Sequence, residues 1–219
     1  MNKVKLGVLI SGSGSNLQSI IDNIEAGHLS AKIEVVISNE PDAYGLIRAQ
    51  NHGLNTALVN HKDFPSREAF DERLVEVLKQ NNVELVVLAG FMRVVTPTFL
   101  RAFSNRVMNI HPALLPAFPG VHVWQKAIDY GVKFSGCTVH FVDEGTDTGP
   151  IIIQSVVSVL DDDDADSLAA RILKQEHKIY PRAIQLFAEG RLEIEDRRVK
   201  VRPRDRSLDL ANLTNPKLE

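Results

Sequence analysis

Short apolar runs alternate with helically spaced apolar positions over the first hundred residues. Val4 to Ile10 is an apolar run that ends at Ser11-Gly12-Ser13-Gly14-Ser15. Leu17, Ile20, Ile21 and Ile24 then recur at a spacing of three to four, the period of one helix face. Ser15, with Gln18 three residues on, predicts a capping box at the start of that helix. Residues 33–37 read as the next strand, so the chain opens as strand, glycine loop, helix, strand. Helical spacing returns over residues 43–51 and 66–80, and strand-like runs over 56–59 and 85–89. This alternation predicts an α/β fold, a Rossmann-like, mostly parallel sheet flanked by helices.

The pattern changes after the run Arg106-Val107-Met108. Residues 121–130 read as a short helix. Residues 138–142 and 151–160 read as strands that flank Asp147, which predicts an antiparallel C-terminal part. Asp161 to Asp164, with Asp166, crowd acid before a helix starting near Ser167, where negative charge complements the helix N-terminus. That helix carries Leu168, Ile172, Leu173 and Ile179, and Pro181 is expected to kink or interrupt it. Residues 1–195 are read as one catalytic domain and 196–219 as a polar tail, expected to be partly disordered.

Composition narrows the partners. The 219 residues carry a formal net charge of -3, which argues against a general nucleic-acid partner. Cys137 is the single cysteine, so no intramolecular disulfide can form and a cytoplasmic location is expected. No run of about eighteen apolar residues is present, so no membrane span is expected. The N-terminus lacks the long apolar core of a signal peptide.

The chemistry concentrates at Asn109-Ile110-His111. Two residues apart on a strand, Asn109 and His111 point to the same side, an amide donor beside a titratable imidazole. A proline-rich turn with Pro112, Pro116, Pro119 and Gly120 follows. Gly145-Thr146-Asp147-Thr148-Gly149-Pro150 offers a carboxylate in a tight loop. Amide, imidazole and carboxylate together can build and collapse a tetrahedral intermediate. Singly, each has a plainer reading: a surface histidine, a turn asparagine, an Asx-turn aspartate.

The glycine loop can offer backbone N–H groups to an anion, with hydroxyl donors from Ser11, Ser13 and Ser15. It is neither a P-loop nor a full dinucleotide fingerprint, because Leu17 stands where the third glycine would be. An ordinary tight turn is the plain alternative. His111, His122, His140 and Asp147 match no familiar zinc spacing, and no metal is expected. Phe91-Met92-Arg93-Val94-Val95 can hold a flat heterocycle with a charged tail, or be a core edge beside a surface arginine.

Together these motifs resemble the phosphoribosylglycinamide formyltransferases, the folate-dependent enzymes of purine synthesis. The likeness runs from about Val4 to about Leu192. It rests on Ser11-Gly12-Ser13-Gly14-Ser15-Asn16, on Gly90-Phe91-Met92-Arg93, and on Asn109-Ile110-His111-Pro112 with Phe118-Pro119-Gly120. It also rests on Thr138-Val139-His140-Phe141-Val142-Asp143 through Asp147-Thr148-Gly149-Pro150, and on Gln175-Glu176-His177. The resemblance implies transfer of the formyl group of 10-formyltetrahydrofolate to the amine of glycinamide ribonucleotide. It implies catalytic roles for Asn109, His111 and Asp147. Ser11, Gly12, Ser13, Gly14, Ser15 and Asn16 would hold the ribonucleotide phosphate, and Glu176 its ribose or glycinamide end. Arg67 would lie near the folate tail. Met92, Arg93, Val94 and Val95 would line the pterin pocket with Val142, Asp143 and Thr146. The chemistry implied needs no metal, nucleic acid or membrane, in a monomer or homodimer. Three stretches depart from the family pattern: residues 121–124, the acidic run at 161–164, and the tail from Arg197 to Glu219.

Within the same chemistry, formyltetrahydrofolate deformylase is the nearest rival, with water in place of the amine. Its extra N-terminal regulatory domain is not expected here, because the strand pattern begins at Val4. A methionyl-tRNA formyltransferase would need a further C-terminal domain and a basic face. A non-catalytic nucleotide-binding module is the rival from another class, with Glu40 as its ribose-binding acid. The missing third glycine and the Asn109, His111 and Asp147 set argue against it.

Overall fold

A computed structural model describes residues 3–202. Its first half is an alternation of parallel strands and helices. In chain order these are β1 (Val4–Ile10), α1 (Ser15–Glu25), β2 (Ala31–Ser38), α2 (Tyr44–Asn51), β3 (Thr56–Leu58), α3 (Arg67–Gln80), β4 (Leu85–Leu88), α4 (Pro97–Ala102) and β5 (Val107–His111). The second half holds α5 (Val123–Tyr130), β6 (Phe134–Phe141), β7 (Ile151–Ser158), α6 (Ala165–Ala188), β8 (Leu192–Glu195) and β9 (Arg198–Val201). The described strands form one sheet in the order β3-β2-β1-β4-β5-β6-β7-β9-β8. Strands β1 to β5 run parallel, and β6 and β7 continue the sheet antiparallel.

Side-chain alternation along the strands divides the core into two layers. Leu6, Val8, Ile10, Val87, Met108 and Ile110 pack with Leu17 and Ile20 of α1 and with Tyr180 and Ile184 of α6. Leu9, Val86, Leu88 and Val107 face the other way, onto Phe70 and Leu74 of α3 and Phe99 of α4. Period two in the strands and period 3.6 in the helices produce both layers from one chain pattern. The chain order reverses between β1 and β4, which opens a crevice at their carboxyl ends. Ser11 sits in it. Its N–H donates to the Gly90 carbonyl at 3.0 Å. Its hydroxyl donates to Asn39 at 2.6 Å and accepts the Met92 N–H at 2.8 Å. One serine thus ties together the loops that follow β1, β2 and β4.

Several local expectations change. Gly14, in the left-handed region at φ 69°, precedes α1, so the Ser15–Gln18 capping box does not form. Residues 165–188 form one helix through Pro181. Proline has no N–H for the carbonyl of residue 177. The buried hydroxyl of Ser19, on α1, supplies that donor at 2.8 Å. Asp164 caps α6 reciprocally with Ser167, which gives part of the acidic run a structural use. The chain after Glu195 does not leave the fold at once. Asp196 and Arg197 form a two-residue turn, and β9 pairs with β8 and, at Arg198, with Ile151 of β7. The rest of the expected polar tail, residues 203–219, lies outside the described residues.

Ser19→Ala should destabilise the fold by about 1–3 kcal/mol, because the His177 carbonyl stays buried without a donor. In a Pro181→Ala background the cost should shrink, since alanine at that position brings a backbone N–H of its own. Urea unfolding of the four variants reads this coupling; equal costs in both backgrounds would contradict it.

Candidate active site

Strand β5 carries Asn109 and His111 to the carboxyl edge of the sheet. Met108 and Ile110 are locked into the core, so the two polar residues project to the opposite side. The turn after β5 is held by buried Thr138. Its hydroxyl donates to the Ala113 carbonyl at 2.7 Å and accepts the Leu115 N–H at 3.1 Å. The loop between β6 and β7 returns Asp147 to the same place. Asp147 adopts φ 55°, a left-handed conformation that Asp tolerates better than most residues. Asp143 closes the loop by accepting the Gly145 N–H and the Thr148 hydroxyl. Arg197, in the β8–β9 turn, donates to the Thr148 carbonyl at 2.8 Å.

The three expected groups meet. His111 Nδ1 lies 3.3 Å from Asp147 Oδ2. Its Nε2 lies 2.8 Å from the Phe118 carbonyl, which can only accept. Both ring nitrogens therefore face oxygen acceptors, which the doubly protonated ring satisfies. Asp147 Oδ2 also accepts the Gly120 N–H at 2.8 Å, and Asn109 Nδ2 stands 3.4 Å from Oδ1. The contacts from His111 and Asn109 to Asp147 are long, as catalytic hydrogen bonds often are without ligand.

His140 lies directly across the ladder from Asn109. Its Nδ1 faces the Phe141 carbonyl at 2.9 Å, so that nitrogen carries the proton. Nε2 then accepts from Asn109 Nδ2 at 3.2 Å and fixes the amide's orientation. Burial pushes the His140 pKa below its ordinary value, which keeps the ring neutral and able to accept. The 3.7 Å approach of His140 to Asp147 is accordingly no ion pair. Pairing register, invisible in the sequence, gives His140 this role.

A cavity of about 490 Å³ adjoins the cluster. One wall is the loop after β4, with Met92, Arg93, Val94 and Val95; the other includes Val142, Asp143, Gly145 and Thr146. Trp124 also lines it. Met92 is 72% exposed, an apolar surface left open at the cavity mouth. Arg67 lies outside the lining and donates to the Val94 carbonyl at 2.7 Å. The Arg93 guanidinium stacks 5.5 Å above the Phe70 ring. Buried Asp71 accepts the Thr96 N–H, so α3 holds the C-terminal end of the loop at two points. The size and apolar lining suit a flat heterocycle.

The glycine loop lies at the adjoining crevice. Among the described residues, the N–H groups of Gly12, Ser13, Gly14 and Ser15 have no protein acceptor. Ser11, expected to lend a hydroxyl to ligand, is engaged by Asn39 and Met92 instead. Asn16 donates to buried Glu176 at 2.7 Å, while its own Oδ1 is buried without a partner. Among the described residues, no cluster of three or more His, Cys, Asp or Glu could hold a metal ion. Nor is any described helix long and apolar enough to cross a membrane.

Residues 4–184 match the formyl transferase family. The chain belongs to that family. It is 43% identical over 192 residues to phosphoribosylglycinamide formyltransferase of Haemophilus influenzae, covering 88% of this chain and 91% of that one. It is 50% identical over 188 residues to the trifunctional purine biosynthetic protein adenosine-3 of Drosophila melanogaster, covering 85% of this chain but only 14% of that protein. The crystal structure of glycinamide ribonucleotide transformylase 1 from Symbiobacterium toebii superposes with a TM-score of 0.91 at 52% identity, covering 92% and 95% of the two chains. The match confirms the α/β architecture, with its mostly parallel sheet and antiparallel C-terminal strands.

Burial raises the Glu176 carboxyl above its ordinary value, against the opposing hydrogen bond from Asn16. A carboxyl with a higher pKa folded than unfolded favours the fold while neutral, and that contribution is lost as pH rises through the folded value. Glu176→Gln stays neutral and still accepts from Asn16. It should melt above the wild type at about pH 8, with the gap closing toward about pH 4. Thermal melts at both pH values check this; a gap independent of pH would contradict it.

Proposed function

We propose that the protein transfers the formyl group of 10-formyltetrahydrofolate to the amine of glycinamide ribonucleotide, a step of purine biosynthesis. The carrying observation is the convergence of Asn109 and His111 on Asp147 at the wall of the 490 Å³ cavity. The family membership and the relatives' reaction support it. The pterin occupies the cavity between residues 92–95 and 142–146, with Arg67 toward the folate tail. The ribonucleotide phosphate lies on the amides of residues 12–15, and Glu176 serves its ribose or glycinamide end.

The amine nitrogen attacks the formyl carbon and the carbonyl pair moves onto oxygen. Asn109 Nδ2–H exchanges its 3.4 Å contact with Asp147 for the oxyanion, and the charge of the protonated His111 ring stabilises it further. The new C–N bond leaves the attacking nitrogen with an extra proton. Asp147 accepts that proton and passes it, through water, to the folate nitrogen as its bond to carbon breaks. His140 holds the Asn109 amide in the orientation this requires. No step calls for a metal.

Formyl release from a 10-formyl folate should be followed spectrophotometrically with and without glycinamide ribonucleotide. Release that requires the ribonucleotide is expected. Equal release in water alone would make the protein a deformylase and contradict the proposal.

Asp147→Asn should lower kcat by about a hundred- to ten-thousandfold with little change in melting temperature. Asparagine tolerates φ 55° and can still accept the Gly120 N–H, so the fold keeps its contacts. An unchanged kcat would show that another carboxylate moves the proton.

A further inference from the structure

The glycine loop does not set its own shape. Helix α2 packs against it so closely that a Cβ on Gly14 would stand 2.5 Å from the Gly45 Cα. Two donors of α2 capture two loop carbonyls. The Gly45 N–H donates to the Gly12 carbonyl at 3.0 Å, and Arg48 Nε donates to the Ser13 carbonyl at 2.9 Å. In a trans peptide the N–H points opposite to the carbonyl of the same unit. Binding the carbonyls of residues 12 and 13 to α2 therefore turns the N–H groups of Ser13 and Gly14 away from α2. Both are among the N–H groups that lack an acceptor within the described residues.

Arg48 is itself fixed. Its guanidinium lies 4.9 Å above the Tyr44 ring, and Nη1 donates to Gln18 Oε1 at 3.3 Å. Gln18 in turn donates to Asp22 and lies 3.0 Å from His52. Its amide oxygen is thereby directed at Arg48. A planar, charged fork suits this arrangement, because Nε and Nη1 serve acceptors on two elements at once. The positive charge stands one hydrogen bond from the loop, where it favours an anion.

We infer that Arg48 is a positioning residue for recognition of the acceptor's phosphate monoester: by holding the Ser13 carbonyl, it presents the Gly14 N–H to the phosphate. The inference rests on the acceptor proposed above. It makes Arg48, distant in sequence from the catalytic groups, a determinant of selectivity for a phosphorylated acceptor over its dephosphorylated counterpart.

The test compares wild type, Arg48→Met and Arg48→Lys in steady-state formyl transfer. Glycinamide ribonucleotide and its dephosphorylated form serve as acceptors. Arg48→Met should raise KM for the ribonucleotide about ten- to a hundredfold. The kcat and the KM for the formyl donor should stay within about twofold, as expected when only acceptor binding weakens. The preference for the phosphorylated acceptor in kcat/KM should collapse by the same factor. Arg48→Lys keeps the charge but brings one donor head to two acceptors, so it should fall between. An unchanged KM for the ribonucleotide in both variants would overturn the inference. So would an equal loss with both acceptors, which marks a purely structural role. If Arg48→Met does not fold, the Arg48→Lys comparison decides alone. Wild type that transfers no formyl group to the ribonucleotide at all would overturn the proposed function itself, and this inference with it.

Discussion

The carboxylate of Asp147 is the junction on which the site depends. It is approached by the Gly120 N–H, the His111 ring and the Asn109 amide, all from β5 and the turn after it, 27 to 38 residues earlier in the chain. Its reach depends on the β6–β7 hairpin. Gly149 lies against the Phe141 carbonyl with no room for a Cβ, so the loop turns back tightly over β5. A carboxylate held by one short backbone bond and two longer side-chain approaches is placed firmly yet free to re-pair. Those are the conditions a proton carrier needs.

The same edge of the sheet serves both proposed ligands because of the strand-order reversal between β1 and β4. Ser11 binds the loops after β1, β2 and β4 into one unit. Helix α6 completes the arrangement from beneath. The Tyr180 hydroxyl reaches the Leu88 carbonyl at 2.9 Å and the Met108 carbonyl at 3.0 Å, joining the end of β4 to β5. Ser19 lets α6 continue through Pro181, which keeps Glu176 opposite Asn16. Packing on one face of the sheet thus fixes chemistry at its edge.

Much of this was legible in the sequence. Continuous apolar runs announced the buried parallel strands, and helical spacing announced α1, α3 and α6. The period of a strand by itself places Asn109 and His111 on one side. What stayed hidden depends on distance in the chain. Helix α4 spans six residues, too few for a period to show. Strands β8 and β9 are short and charged, and β9 falls in the stretch whose composition reads as a polar tail. The Ser15–Gln18 spacing misled because Gly14 took the cap position. In the sequence His140 stands out only as a candidate metal ligand and within the family motif, and Arg48 not at all, since one acquires its role from strand register and the other from the approach of α2 to the loop. The departures at residues 121–124 and at Arg197 also found places, on the cavity wall and on the Asp147 loop.

The central claim is that His111 and Asp147 act on one oxyanion and one proton as a unit, not as separate contributors. Residues that work as a unit lose activity non-additively. The direct measurement is kcat for His111→Gln, Asp147→Asn and the double variant, each checked for folding by circular dichroism. The double variant should be slower than the worse single by no more than about threefold. A double variant whose loss equals the product of the two single losses would contradict the claim.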